Sequence, residues 1–159
     1  MRIALLLLCL LPAACRKGVH AGSKVALAYT LTVDGRIYEA SDAGQPEEIV
    51  IGAGQACPGL EAGIMGMTPG QEKTLTVPPD QGYGLHDPTA IQQIPLKAFG
   101  DLAKDLAVGR AVQGVRGGKP TEAMIVAMDE KSVTLDFNHR LAGKTLVYKV
   151  KVVSLGDAR

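Results

Sequence analysis

From Leu146 to Val152 the chain alternates: Leu146, Tyr148, Val150 and Val152 fall on one face, with Lys149 and Lys151 on the other. A period of two belongs to a strand with one buried and one solvated face. Val25, Leu27, Tyr29 and Leu31 repeat the pattern near the other end. Two such strands require an antiparallel sheet and something apolar to cover its inner face.

The cover is short. Pro58 suits a first helical position, and Leu60 and Ile64, four residues apart, share a face. The spacing predicts a helix over residues 58–66, kept weak by Gly63 and Gly66 and dependent on packing. Asp34-Gly35 predicts a hairpin turn, with Arg36–Glu39 as the returning strand. Residues 41–46 read as a loop and Ile49–Ile51 as a short buried strand. Pro69-Gly70 is a turn, Lys73–Val77 a further strand, and Pro78-Pro79 its end. The 19 glycines and 9 prolines suit a turn-rich β protein better than a helical bundle.

Residues 86–139 read as a separate unit placed between two sheet segments. Leu96–Leu106 has room for a helical turn or two. Ala111–Val115, Glu122–Met128 and Ser132–Phe137 read as strands, with turns at Gly117–Pro120 and Asp129-Glu130. The expected fold is therefore α+β and mostly antiparallel β: a sheet wrapped on a short helix, with a small β-rich insertion.

The first residues are a targeting segment by pattern. Met1-Arg2 is a basic start, and Ile3–Leu11 is an apolar run too short to span a bilayer as a helix. Leu11-Pro12-Ala13-Ala14-Cys15 resembles a lipobox, in which the cysteine is lipidated; Pro12 stands where that pattern has Leu, Val or Ile. The alternative is ordinary secretion with cleavage after Ala21. The expected division is a signal segment over 1–14 and a tether over 15–23, with Cys15 the lipidation site and Cys57 left unpaired. With a net charge of +1 the chain offers no electrostatic case for a nucleic-acid partner. His20, His86 and His139 are too scattered to predict a metal site.

Three stretches carry a family resemblance: Asp34–Glu39; Gly59–Ile64 through Met67–Gly70; and Val77–Gly84 with its Pro-Pro-Asp-Gln-Gly-Tyr-Gly run. In order and spacing they resemble the FKBP-type prolyl isomerases. Asn138-His139-Arg140-Leu141-Ala142-Gly143 resembles the SlyD-type subfamily, in which such a run returns from an inserted domain. The resemblance implies an isomerase domain over 24–85 and 140–155. It implies an insert-in-flap, chaperone-like domain over 86–139, with His139 at the junction.

It also implies a site. Tyr29, Glu39 and Tyr83 are the expected catalytic residues. Tyr38, Ala56, Cys57, Leu60 and Tyr148 are the expected substrate-binding residues. Four of the six aromatics in the chain fall in this set. The reaction implied needs no cofactor and no metal. The partners implied are proline-containing, unfolded or partly folded polypeptides; the chain is expected to be a monomer, and the lipobox-like run adds the expectation of a bacterial envelope membrane, held through lipid at Cys15 and facing the periplasm or exterior. The competing function is a non-catalytic chaperone or peptide-binding module of the same fold. Glu39, where many members carry Asp, and Leu60, where many carry Trp, leave room for it.

Overall fold

A computed structural model describes residues 18–157 of the chain. The expected signal segment, the expected lipidation site Cys15 and the first residues of the expected tether lie outside the described residues. Among the described residues nine strands form two antiparallel sheets, accompanied by one α-helix and three 3-10 segments.

The larger sheet is built around β1 (Ser23–Val33). Along one edge β1 pairs over its whole length with β9 (Leu146–Asp157), which in turn pairs with β4 (Glu72–Val77). Its other edge is shared: β3 (Glu47–Val50) takes the first half and β2 (Arg36–Ala40) the second. The β1–β2 turn has φ 50° at Asp34 and 77° at Gly35. Two consecutive positive φ values are what a tight hairpin needs to match the strand twist, and Asp-Gly is among the pairs that adopt them at least cost.

The alternation of β9 does not run unbroken. Ala26 pairs with Ser154 but Leu27 with Val152, so Val153 is an extra residue, a β-bulge. The inward face therefore switches from even positions up to Val152 to Leu155 beyond it. The even-numbered pattern stops at Val152 for this reason, although the strand continues to Asp157.

The helix α1 (Pro58–Ile64) lies across the inner face, with Pro58 in its first turn and Leu60 and Ile64 buried. It is two residues shorter than the spacing predicts, and Gly66 falls outside it with φ 77°. Gly59 and Gly63 face β4. A Cβ on Gly63 would stand 2.5 Å from Leu75 Cδ1, and one on Gly59 would run into Val77 Cγ1. The glycines cost helix propensity, but they let the helix backbone approach the sheet. Val25, Leu27, Leu31, Leu146, Val150 and Val152 close the core beneath it.

The segment expected as a polar tether is docked from Gly18 onward. Val19 is 3% exposed and packs in the core. Its N–H donates to the Met67 carbonyl at 2.8 Å, and its carbonyl accepts from Gly66 N–H at 2.8 Å. A single apolar residue in a polar run decides this, because the backbone past α1 offers it an unpaired donor and acceptor.

The second sheet comes from the chain between β4 and β9. It contains β5 (Ile91–Pro95), β6 (Ala111–Arg116), β7 (Lys119–Met128) and β8 (Ser132–Asp136), in the order β5-β8-β7-β6. The edge strand β5 was not expected, since Gln92, Gln93 and Pro95 hide it. Gly117 and Gly118, with φ 58° and 79°, make the β6–β7 turn alone, so Lys119 and Pro120 belong to β7. Pro120 is tolerated because β8 begins to pair only at Met124, leaving the proline nitrogen without a ladder to break.

This sheet has its own core of Ala90, Ala123, Ile125, Val133, Leu135 and Phe137. Leu96, Phe99 and Leu106, from and just after a 3-10 segment kinked at Gly100, pack half-buried against it. Ile91, Leu102, Val108, Val115, Val126 and Met128 remain exposed.

The chain crosses between the two sheets twice, and Asn138 clamps the crossing. Its Oδ1 accepts from Asp87 N–H at 2.9 Å, while its Nδ2 donates to the Asp87 carbonyl at 2.9 Å and Asp136 Oδ1 at 2.7 Å. His86 Nε2 lies 3.1 Å from Asp136 Oδ2. Burial disfavours the Asp136 charge. The hydrogen bonds from Asn138 and His86 outweigh it and hold the carboxyl below the usual carboxylate range.

Candidate functional site

The inner face of the sheet runs past the start of α1, and a cup of about 230 Å³ opens there. β1 supplies Tyr29. β9 supplies Tyr148, held between Leu31 of β1 and Leu75 of β4 and therefore buried. The two rings lie 6.0 Å apart at 57°, a tilted arrangement favoured by ring quadrupoles. Ala56 and Cys57 enter from the approach to the helix, and Leu60 from its first turn, as the floor.

Tyr83 comes from the loop after the 3-10 turn Pro79–Gln81. That loop is tightened by Gly84 N–H to the Pro79 carbonyl at 2.8 Å and pinned by Gly143 N–H to the Gly84 carbonyl at 2.8 Å. The Tyr83 ring stacks on His139 with centroids 4.0 Å apart and planes within 6°. His139 thus backs the cup and also makes bonds at the junction, its carbonyl accepting from Ala142 N–H at 2.8 Å. His139 Nδ1 accepts from Leu141 N–H at 3.1 Å. Burial, and then the neighbouring Arg140 charge, push the imidazole pKa down and favour the neutral ring.

Tyr29, Glu39, Ala56, Cys57, Leu60, Tyr83 and Tyr148 all line this cup. Tyr38 does not. Leu31 pairs with Glu39 and Thr32 with Ile37, so Tyr38 is the extra residue of a bulge in β2. It lines the next hollow along the surface instead.

Three further wall residues were not expected: Glu47, Ile49 and Gln55. Ile49 was legible as a core position of an apolar run. Nothing in the sequence marks Glu47, whose place follows from its pairing with Leu27. Gln55 is placed by its own bond, Oε1 accepting from Val50 N–H at 2.7 Å. With Glu39 and Glu47 in the wall, the cup is apolar at its floor and acidic along one side.

The phenols are neutral. The Tyr29 hydroxyl donates to Glu47 Oε2 at 2.7 Å; burial, that bond and the nearby carboxylates of Glu47 and Glu39 all raise its pKa. Burial raises Tyr148 as well, followed by Cys57, whose Sγ is 4.0 Å from the Tyr148 hydroxyl, and by Tyr83. Burial also raises Tyr83, although this residue stays 39% exposed.

A sheet wrapped on one short helix, with one small cup of neutral hydroxyls over an apolar floor at the helix start, is the α+β arrangement these residues build. The cup falls below the roughly 300–1,000 Å³ of sites for drug-sized ligands. The chain belongs to the FKBP-type peptidyl-prolyl cis-trans isomerase family, whose model matches residues 15–153. It is an enzyme of that activity, and its substrates are proline-containing polypeptides.

The short-type peptidyl-prolyl cis-trans isomerase of Methanocaldococcus jannaschii is 35% identical over 148 residues, covering 84% of this chain and 92% of that relative. A probable FKBP-type 16 kDa isomerase of Pseudomonas fluorescens is 35% identical over 112 residues, covering 69% of this chain and 73% of the relative. SlyD of Vibrio cholerae is 30% identical over 141 residues, covering 88% and 70%. Among solved structures, FkpA from Escherichia coli aligns with a TM-score of 0.50 and 19% identity over 90% of this chain. That likeness is one of fold, and the chain spans 44% of the FkpA chain.

Proposed function

We propose that the cup lined by Tyr29, Tyr83 and Tyr148 is the isomerase site, that residues 86–139 capture unfolded chains for it, and that the protein acts on exported polypeptides from a lipid anchor at Cys15. The observation that carries the first part is the convergence of three un-ionised phenols on a floor of Leu60 and Cys57.

An X–Pro bond resists rotation because its amide resonance sets a barrier of about 18–20 kcal/mol. The flat amide is strongly dipolar and the twisted one less so. A floor that excludes water penalises the flat form more, and the cup holds the proline ring while the preceding residue turns. The Tyr83 hydroxyl donates to a substrate carbonyl outside the turning bond. A donor on the turning carbonyl would strengthen its resonance and oppose catalysis.

Tyr83→Phe therefore lowers kcat/KM on a short proline peptide by about three- to tenfold, the worth of one hydrogen bond. Tyr83→Ala, which also removes the ring stacked on His139, lowers it further. Unaltered rates in both variants would remove Tyr83 from the site.

The exposed Ile91, Leu102, Val108, Val115, Val126 and Met128 support a capturing role for the second sheet, since a promiscuous chain-binder needs apolar surface. The apolar run Ile3–Leu11 ahead of Cys15 supports export and anchoring. Two acyl chains on one cysteine suffice for stable membrane attachment. Cys15→Ser is expected to move the protein from the membrane to the soluble fraction of cells. Unchanged sedimentation with membranes counts against the anchor.

A further inference from the structure

Beside the cup lies a second hollow of about 570 Å³ whose charge is opposite. Arg36, Arg140 and Lys144 line it with a single carboxylate, Asp34. Lys144 Nζ is taken by Asp34 Oδ2 at 2.8 Å. Arg36 and Arg140 have no carboxylate partner among the described residues. Ile37, 71% exposed, and Tyr38 give the same hollow an apolar flank.

We infer that this hollow is a subsite for an acidic side chain of the substrate, on a residue near the proline, and that it gives the enzyme a preference for acidic sequences. The inference rests on the cup being the isomerase site. The two hollows are joined along two strips of chain. In β2, Tyr38 lines one and the next residue, Glu39, lines the other. At the return from the second sheet, His139 stacks on Tyr83 of the cup and the next residue, Arg140, lines the basic hollow. Consecutive Cα atoms are about 3.8 Å apart, so an extended substrate leaving the cup reaches the arginines within a few residues.

Charge sets the occupant. Glu39 and Glu47 in the cup wall repel a carboxylate there, and Arg36 and Arg140 attract one next door. An arginine fork matches a carboxylate in shape as well as sign. The pocket is open, so the attraction is partly screened and depends on salt.

The test uses the full chain and a series of short proline peptides carrying Glu, Gln or Lys at each position from three before to three after the proline. At low ionic strength, at least one position is expected to show kcat/KM for Glu above Gln by about three- to tenfold, and Lys below Gln. R36Q/R140Q brings the Glu-to-Gln ratio at that position close to one, and so does raising the salt with the wild type. Each single variant, expected to halve the effect or more, replaces the pair should the double variant fail to fold.

No charge preference at any position, or a preference that survives in the variants, overturns the subsite while leaving the isomerase reading intact. Failure to accelerate even the Gln peptides overturns the isomerase reading itself. Binding to vesicles rich in anionic lipid that is lost in R36Q/R140Q, with the peptide ratio unmoved, assigns the hollow to headgroups and overturns the subsite.

Discussion

Replacing residues 89–137 by a short Gly-Ser link lowers catalysis of proline-limited protein refolding by about thirtyfold to a hundredfold, while the rate on a short peptide changes by less than about threefold. The first number follows from tethering. Under the proposed capturing role, a refolding chain held by the exposed apolar side chains of the second sheet presents its prolines to the cup at a high effective concentration, and a free peptide gains nothing from this. The second follows from the way the molecule is divided. The second sheet packs on its own core, and none of its residues lines the cup.

The cut is placed where the structure already closes the gap. Asp87 and Asn138 are bonded to each other through both a donor and an acceptor, so the ends to be linked are adjacent. Asn138 and His139 are kept, the latter because its ring backs Tyr83. Both rates are measured on the same preparation, by peptide isomerisation and by refolding of a protein with a slow proline phase. Equal loss in both assays means that the second sheet holds up the cup, and the division of labour fails.

The largest effect on stability is expected at Ile64. It is 0% exposed and is the last buried residue of the only α-helix among the described residues. Ile64→Ala removes three carbons and leaves a cavity that neighbours cannot readily fill, because the helix already lies as close to β4 as Gly59 and Gly63 allow. The cost is about 3 kcal/mol, within the usual 2–5 kcal/mol for such truncations. In a domain of this size that lowers Tm by about 10 °C. Met65→Ala, one residue further on at 46% exposure, is expected to cost less than about 1 kcal/mol. A thermal or denaturant melt of the two variants decides the matter. Equal, small losses would mean that the helix does not plug the sheet.

The cup and the helix were legible to different degrees. Leu60 and Ile64 could be paired from their spacing, and Tyr29 and Tyr148 could be put on one face from the alternation of their strands. Tyr83 could be drawn in only through the family motif, since it sits on a loop with no period to read. Glu47 could not be drawn in at all. It reaches Tyr29 because β3 pairs with the first half of β1, and a four-residue strand with two leading glutamates carries no mark of which edge it will join. Tyr38 shows the converse. It sits in a recognisable motif, yet one unpaired residue in β2 moves it to the neighbouring hollow.

What the amino-acid order settled on its own is everything with a short range. Alternation chose the strands, Asp34-Gly35 chose the hairpin, and Pro58 with its apolar pair four apart chose the helix. Each depends on φ/ψ sterics and side-chain spacing within a few residues. Folding in three dimensions decided the bulges at Tyr38 and Val153, the docking of Val19 on the loop after α1, the edge strand β5, and the opposite charge of two adjacent hollows. These depend on which backbone groups far apart in the chain find each other unpaired, and no local pattern encodes that.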